Sequence, residues 1–119
     1  MLKIVVTIKR KPGLTREEFS AYYFDKHAPL ARKVIPREVA AGIIHYVQNH
    51  AVAQASADPP FDCVTEIGFP DEEAMQRWLT WYHGPEGKVL RDDEDNFADQ
   101  SSRVDVVTRA LRPGRDALR

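Results

Sequence analysis

Apolar and polar positions along the chain alternate between two periods. Leu2 to Lys9 (LKIVVTIK) is rich in β-branched residues and predicts a strand. Its nearly unbroken apolar run predicts burial on both faces, hence a central place in a sheet. Phe19, Tyr22, Tyr23 and Leu30 then recur at helical spacing, with Glu17, Glu18 and Asp25 off the stripe. Lys26 falls inside that stripe and fits only if its stem snorkels. Lys11-Pro12-Gly13 is a turn. Thr15 with Glu18 three residues on makes a capping box, and Leu14 with Phe19 makes a hydrophobic staple. A helix therefore starts at Thr15. Pro29 has no amide proton to give the Asp25 carbonyl and disfavours helical geometry at Ala28. The helix is predicted to kink or stop near Lys26–Ala28, with Pro29 opening a second short helix that runs to Val34.

Ile43 to His50 (IIHYVQNH) predicts a second strand, with His45, Val47 and Asn49 on one face and Ile44, Tyr46, Gln48 and His50 on the other. Polar groups on both faces suit either a lined cavity or an edge strand with one wet face. Ala51 to Pro60 is a loop. Phe61 to Phe69 predicts a third strand. Asp71 caps a second long helix whose inward stripe is Ala74, Met75, Trp78, Leu79 and Tyr82. Trp81 points away from that stripe, as a surface aromatic or a partner contact. Gly84 is expected at the position just past the helix end. A short helix over Pro85–Arg91 and a solvated turn at Asp92–Asp95 follow. Ser102 to Leu111 predicts the fourth strand. The order βαββαβ predicts an α+β, ferredoxin-like sandwich: a four-stranded antiparallel sheet with helices on one face. Right-handed crossovers are expected to set the first and third strands parallel. Val104, Val106 and Thr108 leave apolar surface on the other face, which a homodimer packed sheet to sheet buries.

Composition narrows the classes. At 119 residues the chain makes one domain, placed at residues 1–110 with a basic tail at 111–119. A 43% hydrophobic and 29% charged composition is that of a globular protein. A net charge of −1 gives no electrostatic case for nucleic acid or anionic membrane. No run reaches the roughly 20 apolar residues of a membrane span, and no secretory leader is recognisable. The single cysteine, Cys63, excludes an intrachain disulfide, and a cytoplasmic location is expected.

Candidate chemistry centres on His27, which sits beside the aromatic stripe and next to the expected break. Histidine changes charge near neutral pH and suits general acid/base work. Its plainer role is to cap carbonyls left free at the break. Cys63 lies in a strand pattern, more often packing than reactive. The four histidines show no metal-ligand spacing, the acidic run at Asp92–Asp95 matches no calcium loop, and no glycine-rich phosphate loop is present.

The segments RKPGLTREEF, YYFDKHAPLA, YVQNH and DDEDNFAD, in this order, resemble the EthD family from about Lys3 to about Thr108. The resemblance implies a dimeric α/β barrel. Relatives in that superfamily include cofactor-free isomerases and polyketide cyclases or dehydratases, together with monooxygenases and haem-handling proteins. The family pattern falls on Phe19, His27, Pro29, Tyr46, Gln48, Asn49, Asp93, Glu94, Phe97 and Asp99. Tyr23 stands where members often carry tryptophan. The resemblance implies His27 as the catalytic residue, and the other matched positions as pocket or structural candidates. On the acid/base reading, Tyr23 or Tyr46 is the expected hydrogen-bond donor to an enolate, and Asp93 or Asp99 the expected carboxylate orienting the imidazole. Phe19, Tyr22, Gln48, Trp78 and Phe97 are the substrate-binding candidates. The expected function is a cofactor-independent isomerase, cyclase or dehydratase acting on a small hydrophobic aromatic, lactone or polyketide-like molecule. The alternatives are a non-catalytic ligand-binding or accessory protein, and a monooxygenase or haem protein.

Overall fold

The structure, a computed structural model, describes residues 1–53 and 58–118. Strands β1 (Leu2–Ile8), β2 (His45–His50), β3 (Cys63–Phe69) and β4 (Val104–Arg109) form one sheet in the order β2-β3-β1-β4. Helices α1 (Arg16–Tyr22), α2 (Ala28–Val34) and α3 (Arg37–Ala40) connect β1 to β2, and α4 (Glu72–His83) and α5 (Lys88–Glu94) connect β3 to β4. This is the predicted ferredoxin-like α+β arrangement. One expectation is corrected: β1 and β3 are antiparallel neighbours, paired from Leu2 with Phe69 to Ile8 with Cys63. The crossovers join β1 to β2 and β3 to β4, and the β2–β3 hairpin reverses the chain between them. The central position of β1 follows from its apolar run.

The capping box at Thr15 is formed: its hydroxyl accepts from the Glu18 amide at 3.0 Å, and the Glu18 carboxylate accepts from the Thr15 amide at 2.9 Å. The predicted break at Lys26–Ala28 does not occur. A π-helical turn, Tyr23–His27, joins α1 to α2, and Ala28 is helical at φ −62°, ψ −43°. The Ala28 amide reaches back five residues to the Tyr23 carbonyl. The wider turn absorbs the donor that Pro29 lacks, so the helix continues instead of breaking. It also turns Tyr23 and His27 inward, and both are buried.

The α4 cap at Asp71 is present, its carboxylate accepting from the Ala74 amide at 2.9 Å. Trp81 is buried rather than exposed, its ring centroid 5.7 Å from that of Trp78. It lines one surface pocket together with Val39 of α3 and the Gly84–Glu86 segment, and helical periodicity within α4 carries no information about those neighbours. Gly84 is extended (φ −79°, ψ 177°), not left-handed. A 3₁₀ turn, Pro85–Gly87, crosses so close to α4 that a Cβ on Gly87 would lie 2.2 Å from the Tyr82 carbonyl oxygen. The Arg91 guanidinium accompanies it, donating to the Tyr82 and Gly84 carbonyls at the end of α4.

Regular structure in β2, β3 and β4 is shorter than predicted, starting at His45, Cys63 and Val104. Residues 54–57 of the expected Ala51–Pro60 loop and Arg119 of the tail lie outside the described residues. The sheet register sorts the two faces. Ile4, Val6, Ile8, Thr65 and Phe69 face the helices and are buried. The opposite face carries Val5, Val47, Val64, Val104 and Val106, with Val104 and Val106 half exposed. β1 is therefore fully buried on one face only in the single chain.

Candidate active site

The candidate cavity lies between the inner sheet face and the helices. The π turn supplies Tyr23 and His27, β2 supplies Tyr46, and β3 supplies Thr65 and Ile67. From α4 come Trp78 and Tyr82, and from α5 and its continuation come Leu90, Glu94 and Phe97. Arg103 closes one end ahead of β4. The space is about 80 Å³ and mostly apolar.

His27 stands between two carboxylates. Its Nδ1 lies 2.8 Å from Asp93 Oδ2, and its Nε2 lies 3.7 Å from Glu94 Oε2. Asp93 Oδ1 accepts from the Tyr22 hydroxyl at 2.7 Å and from the Asn96 amide at 3.2 Å. Glu94 Oε1 accepts from the Tyr82 hydroxyl at 2.5 Å and from Arg103 at 2.8 Å. Arg103 is held in turn by Asp105 at 2.9 Å. An ionised carboxylate only accepts, so the His27 nitrogen facing Asp93, Nδ1, carries a proton, while Nε2 stands 3.7 Å from Glu94 Oε2.

Environment sets the protonation of the surrounding groups. Burial alone would raise the Asp93 carboxyl, but the hydrogen bonds from Tyr22, His27 and Asn96 outweigh it and hold it below its ordinary value. Burial lifts the Tyr23 phenol well above its usual range, with Tyr46 adding to the effect. Burial also raises Tyr46 and Tyr82. All three phenols therefore remain protonated donors at neutral pH. Burial pushes the Cys63 thiol up to about 11, which keeps it unreactive as a thiolate. Among the described residues no three His, Cys, Asp or Glu side chains group to hold a metal ion.

The candidates taken from sequence divide by position. Tyr23, His27, Tyr46, Trp78 and Phe97 line the cavity. Asp93 holds His27 from behind, and Tyr22 holds Asp93. Phe19 is fully buried behind Tyr23 and Phe97, at 5.9 and 5.8 Å between ring centroids. Gln48 contacts Tyr46, His50 and the Tyr23 carbonyl. Asp99 caps the short Gln100–Ser102 turn and takes no part. The acidic run is not a solvated turn: Asp93 and Glu94 end α5 and point inward. Nor does His27 cap backbone carbonyls. Sequence reasoning missed Tyr82, Arg103 and Thr65. For Tyr82 a signal existed, since a phenol on a buried helical stripe needs a polar partner for its tip.

The fold and this site define a ferredoxin-like α+β protein with a histidine–carboxylate cavity. The chain belongs to the EthD family, whose domain model matches residues 11–101. An ethyl tert-butyl ether D family protein from Bacillus halodurans C-125 is 22% identical, with a TM-score of 0.65 over 93% of this chain and 100% of that one. A dimeric protein of unknown function and ferredoxin-like fold from Bacteroides fragilis is 11% identical, with a TM-score of 0.58 over 90% and 93%. A protein named dehydratase ustZ of Ustilaginoidea virens is 28% identical over 78 residues, 56% of this chain and 54% of that protein. The chain thus spans about half of that relative's length. Among the described residues no helix is long and apolar enough to cross a membrane.

Proposed function

We propose that this protein is a cofactor-independent acid/base enzyme of the dehydratase, cyclase or isomerase type, acting on a small aromatic, lactone or polyketide-like molecule. The observation that carries the reading is His27, buried on the wall of a mostly apolar cavity rimmed by phenols, with Asp93 at Nδ1 and Glu94 3.7 Å from Nε2. The similarity to a dehydratase supports it. His27 Nε2 takes a proton from the carbon next to a substrate carbonyl. The Tyr46 hydroxyl donates a hydrogen bond to the enolate oxygen. Asp93 and Glu94 flank the imidazolium that forms. The enolate then expels a β-hydroxyl, which takes the proton from His27 and leaves as water. In an isomerisation the same proton returns to another carbon.

The test is a screen of β-hydroxycarbonyl compounds, phenolic polyketides and lactones, read by mass spectrometry and ultraviolet absorption. Wild-type protein is expected to turn over at least one of them, and His27→Gln to slow it roughly 10²- to 10⁴-fold. Equal turnover by His27→Gln overturns the reading, and saturable binding without turnover indicates an accessory ligand-binding protein. The same proposal includes a homodimer joined through the valine-bearing sheet face, in line with the dimeric relative. Sedimentation at micromolar concentration checks this: Val106→Lys is expected to give monomers, and a monomeric wild type refutes it.

A further inference from the structure

We propose that Ser20, His50 and Gln48 form a one-way hydrogen-bond chain that holds Tyr46 with its own hydroxyl proton aimed into the cavity. Gln48 and His50 are then positioning residues for the group that stabilises the enolate. The consequence for catalysis rests on the acid/base reading; the geometry stands without it.

Tyr46, Gln48 and His50 alternate along β2, so the two-residue period sets all three side chains on the inner face in a row. The row has one consistent proton pattern. Gln48 Nε2 lies 2.7 Å from the Tyr46 hydroxyl oxygen and 3.5 Å from the Tyr23 carbonyl oxygen. The carbonyl can only accept. Turning the amide round would set two oxygens face to face there, so the nitrogen belongs on this side. The amide oxygen therefore faces His50 Nε2, 2.7 Å away, and that nitrogen must carry a hydrogen. A neutral imidazole has a single N–H, which leaves Nδ1 bare. Ser20 Oγ lies 2.8 Å from Nδ1 and donates to it. Burial lowers the His50 pKa and favours this neutral ring.

At the other end, the Tyr46 oxygen accepts from Gln48 at 2.7 Å. With its accepting side occupied, its proton points to the cavity it lines. Each bond in the chain polarises the next in the same direction, which makes the last hydroxyl a stronger donor. Gln48 and His50 are not among the side chains lining the cavity, so their part is to orient Tyr46, not to hold substrate.

The experiment begins without substrate, on the full chain. Nitrogen-15 NMR of His50 near neutral pH is expected to show a protonated Nε2 and a bare Nδ1. Carbon-13 labelling at tyrosine Cζ is expected to show the Tyr46 titration moving further upward in Gln48→Leu, because the amide donor that lowers it is gone. A proton on Nδ1 of His50, or a Tyr46 titration unmoved by Gln48→Leu, overturns the proposal. With a substrate from the screen, Gln48→Glu keeps the acceptor for His50 but removes the donor to Tyr46. It is expected to lower kcat roughly 10- to 100-fold with KM little changed, and an unchanged kcat overturns the catalytic part. Absence of turnover in wild type sinks the acid/base reading, while the two NMR results still decide the geometry.

Discussion

Replacing Asp93 by asparagine tests the core of the site, because the expected outcome follows from counting donors and acceptors. Asp93 receives three hydrogen bonds: His27 at one oxygen, Tyr22 and Asn96 at the other. In Asp93→Asn one oxygen becomes a donor. Placed beside Asn96, its NH₂ would face another NH₂; the remaining oxygen therefore stays with Tyr22 and Asn96, and the NH₂ turns to His27. Nδ1 must then accept, so the ring proton moves to Nε2, where Glu94 Oε2 at 3.7 Å favours it. The lone pair that the acid/base proposal assigns as the base is then lost. Losing the correct tautomer of a carboxylate-held histidine costs about 10⁴-fold in kcat in a serine protease, equivalent to about 5 kcal/mol of barrier. The folded state loses only a charge-assisted hydrogen bond, roughly 1–3 kcal/mol. Nitrogen-15 NMR reports the tautomer without any substrate, and turnover is read on the same sample. A variant that keeps its proton on Nδ1, or keeps near-wild-type turnover, refutes the reasoning.

Two further outcomes concern stability. Phe97 is fully buried, stacked on Tyr23 at 4.8 Å and set against His27 at 4.9 Å between ring centroids. Phe97→Ala is expected to lose about 3–5 kcal/mol in urea unfolding, and a loss below about 1 kcal/mol would contradict that packing. On the outer sheet face, Lys3 above all, with Asn49 and His45, holds the Glu66 carboxyl down from 4.5 to about 2. A depressed carboxylate stabilises the fold above its unfolded value of 4.5, and this contribution fades as pH falls toward about 2. The full shift is about 3 kcal/mol, which solvent contact reduces to about 1–2 kcal/mol. Glu66→Gln should therefore be less stable than wild type at pH 7, with a gap that narrows by pH 3. A gap of constant size across that range, measured by thermal unfolding, would show that Glu66 does not act through its charge.

Much of the fold was legible because its signals are local. The Thr15 capping box, the Asp71 cap and the aromatic stripe involve residues a few positions apart and formed as read, while the β-branched runs formed strands with shorter bounds and, in β1, full burial on one face only. Tyr46, Gln48 and His50 were assigned to one face correctly because a strand has a fixed period of two. The π turn was not legible: Pro29 says that a donor is missing, but a break and a wider turn both accommodate it. Trp81 was misplaced for a related reason. Its burial depends on α3 and the Pro85–Gly87 turn, which no periodicity within α4 reports.

The site shows the same division. Sequence by itself determined several residues that meet at the candidate site: a histidine at an irregular helical junction, phenols on the inner faces and a short acidic run. Only the tertiary structure decided which carboxylates turn inward, since that depends on how α5 is rotated against the π turn. His27 and Asp93 are 66 residues apart, and Arg103 meets Tyr82 across 21. Such pairs have no sequence period. They exist because packing the helices on the sheet buries charged groups, and a buried charge persists only with a partner beside it.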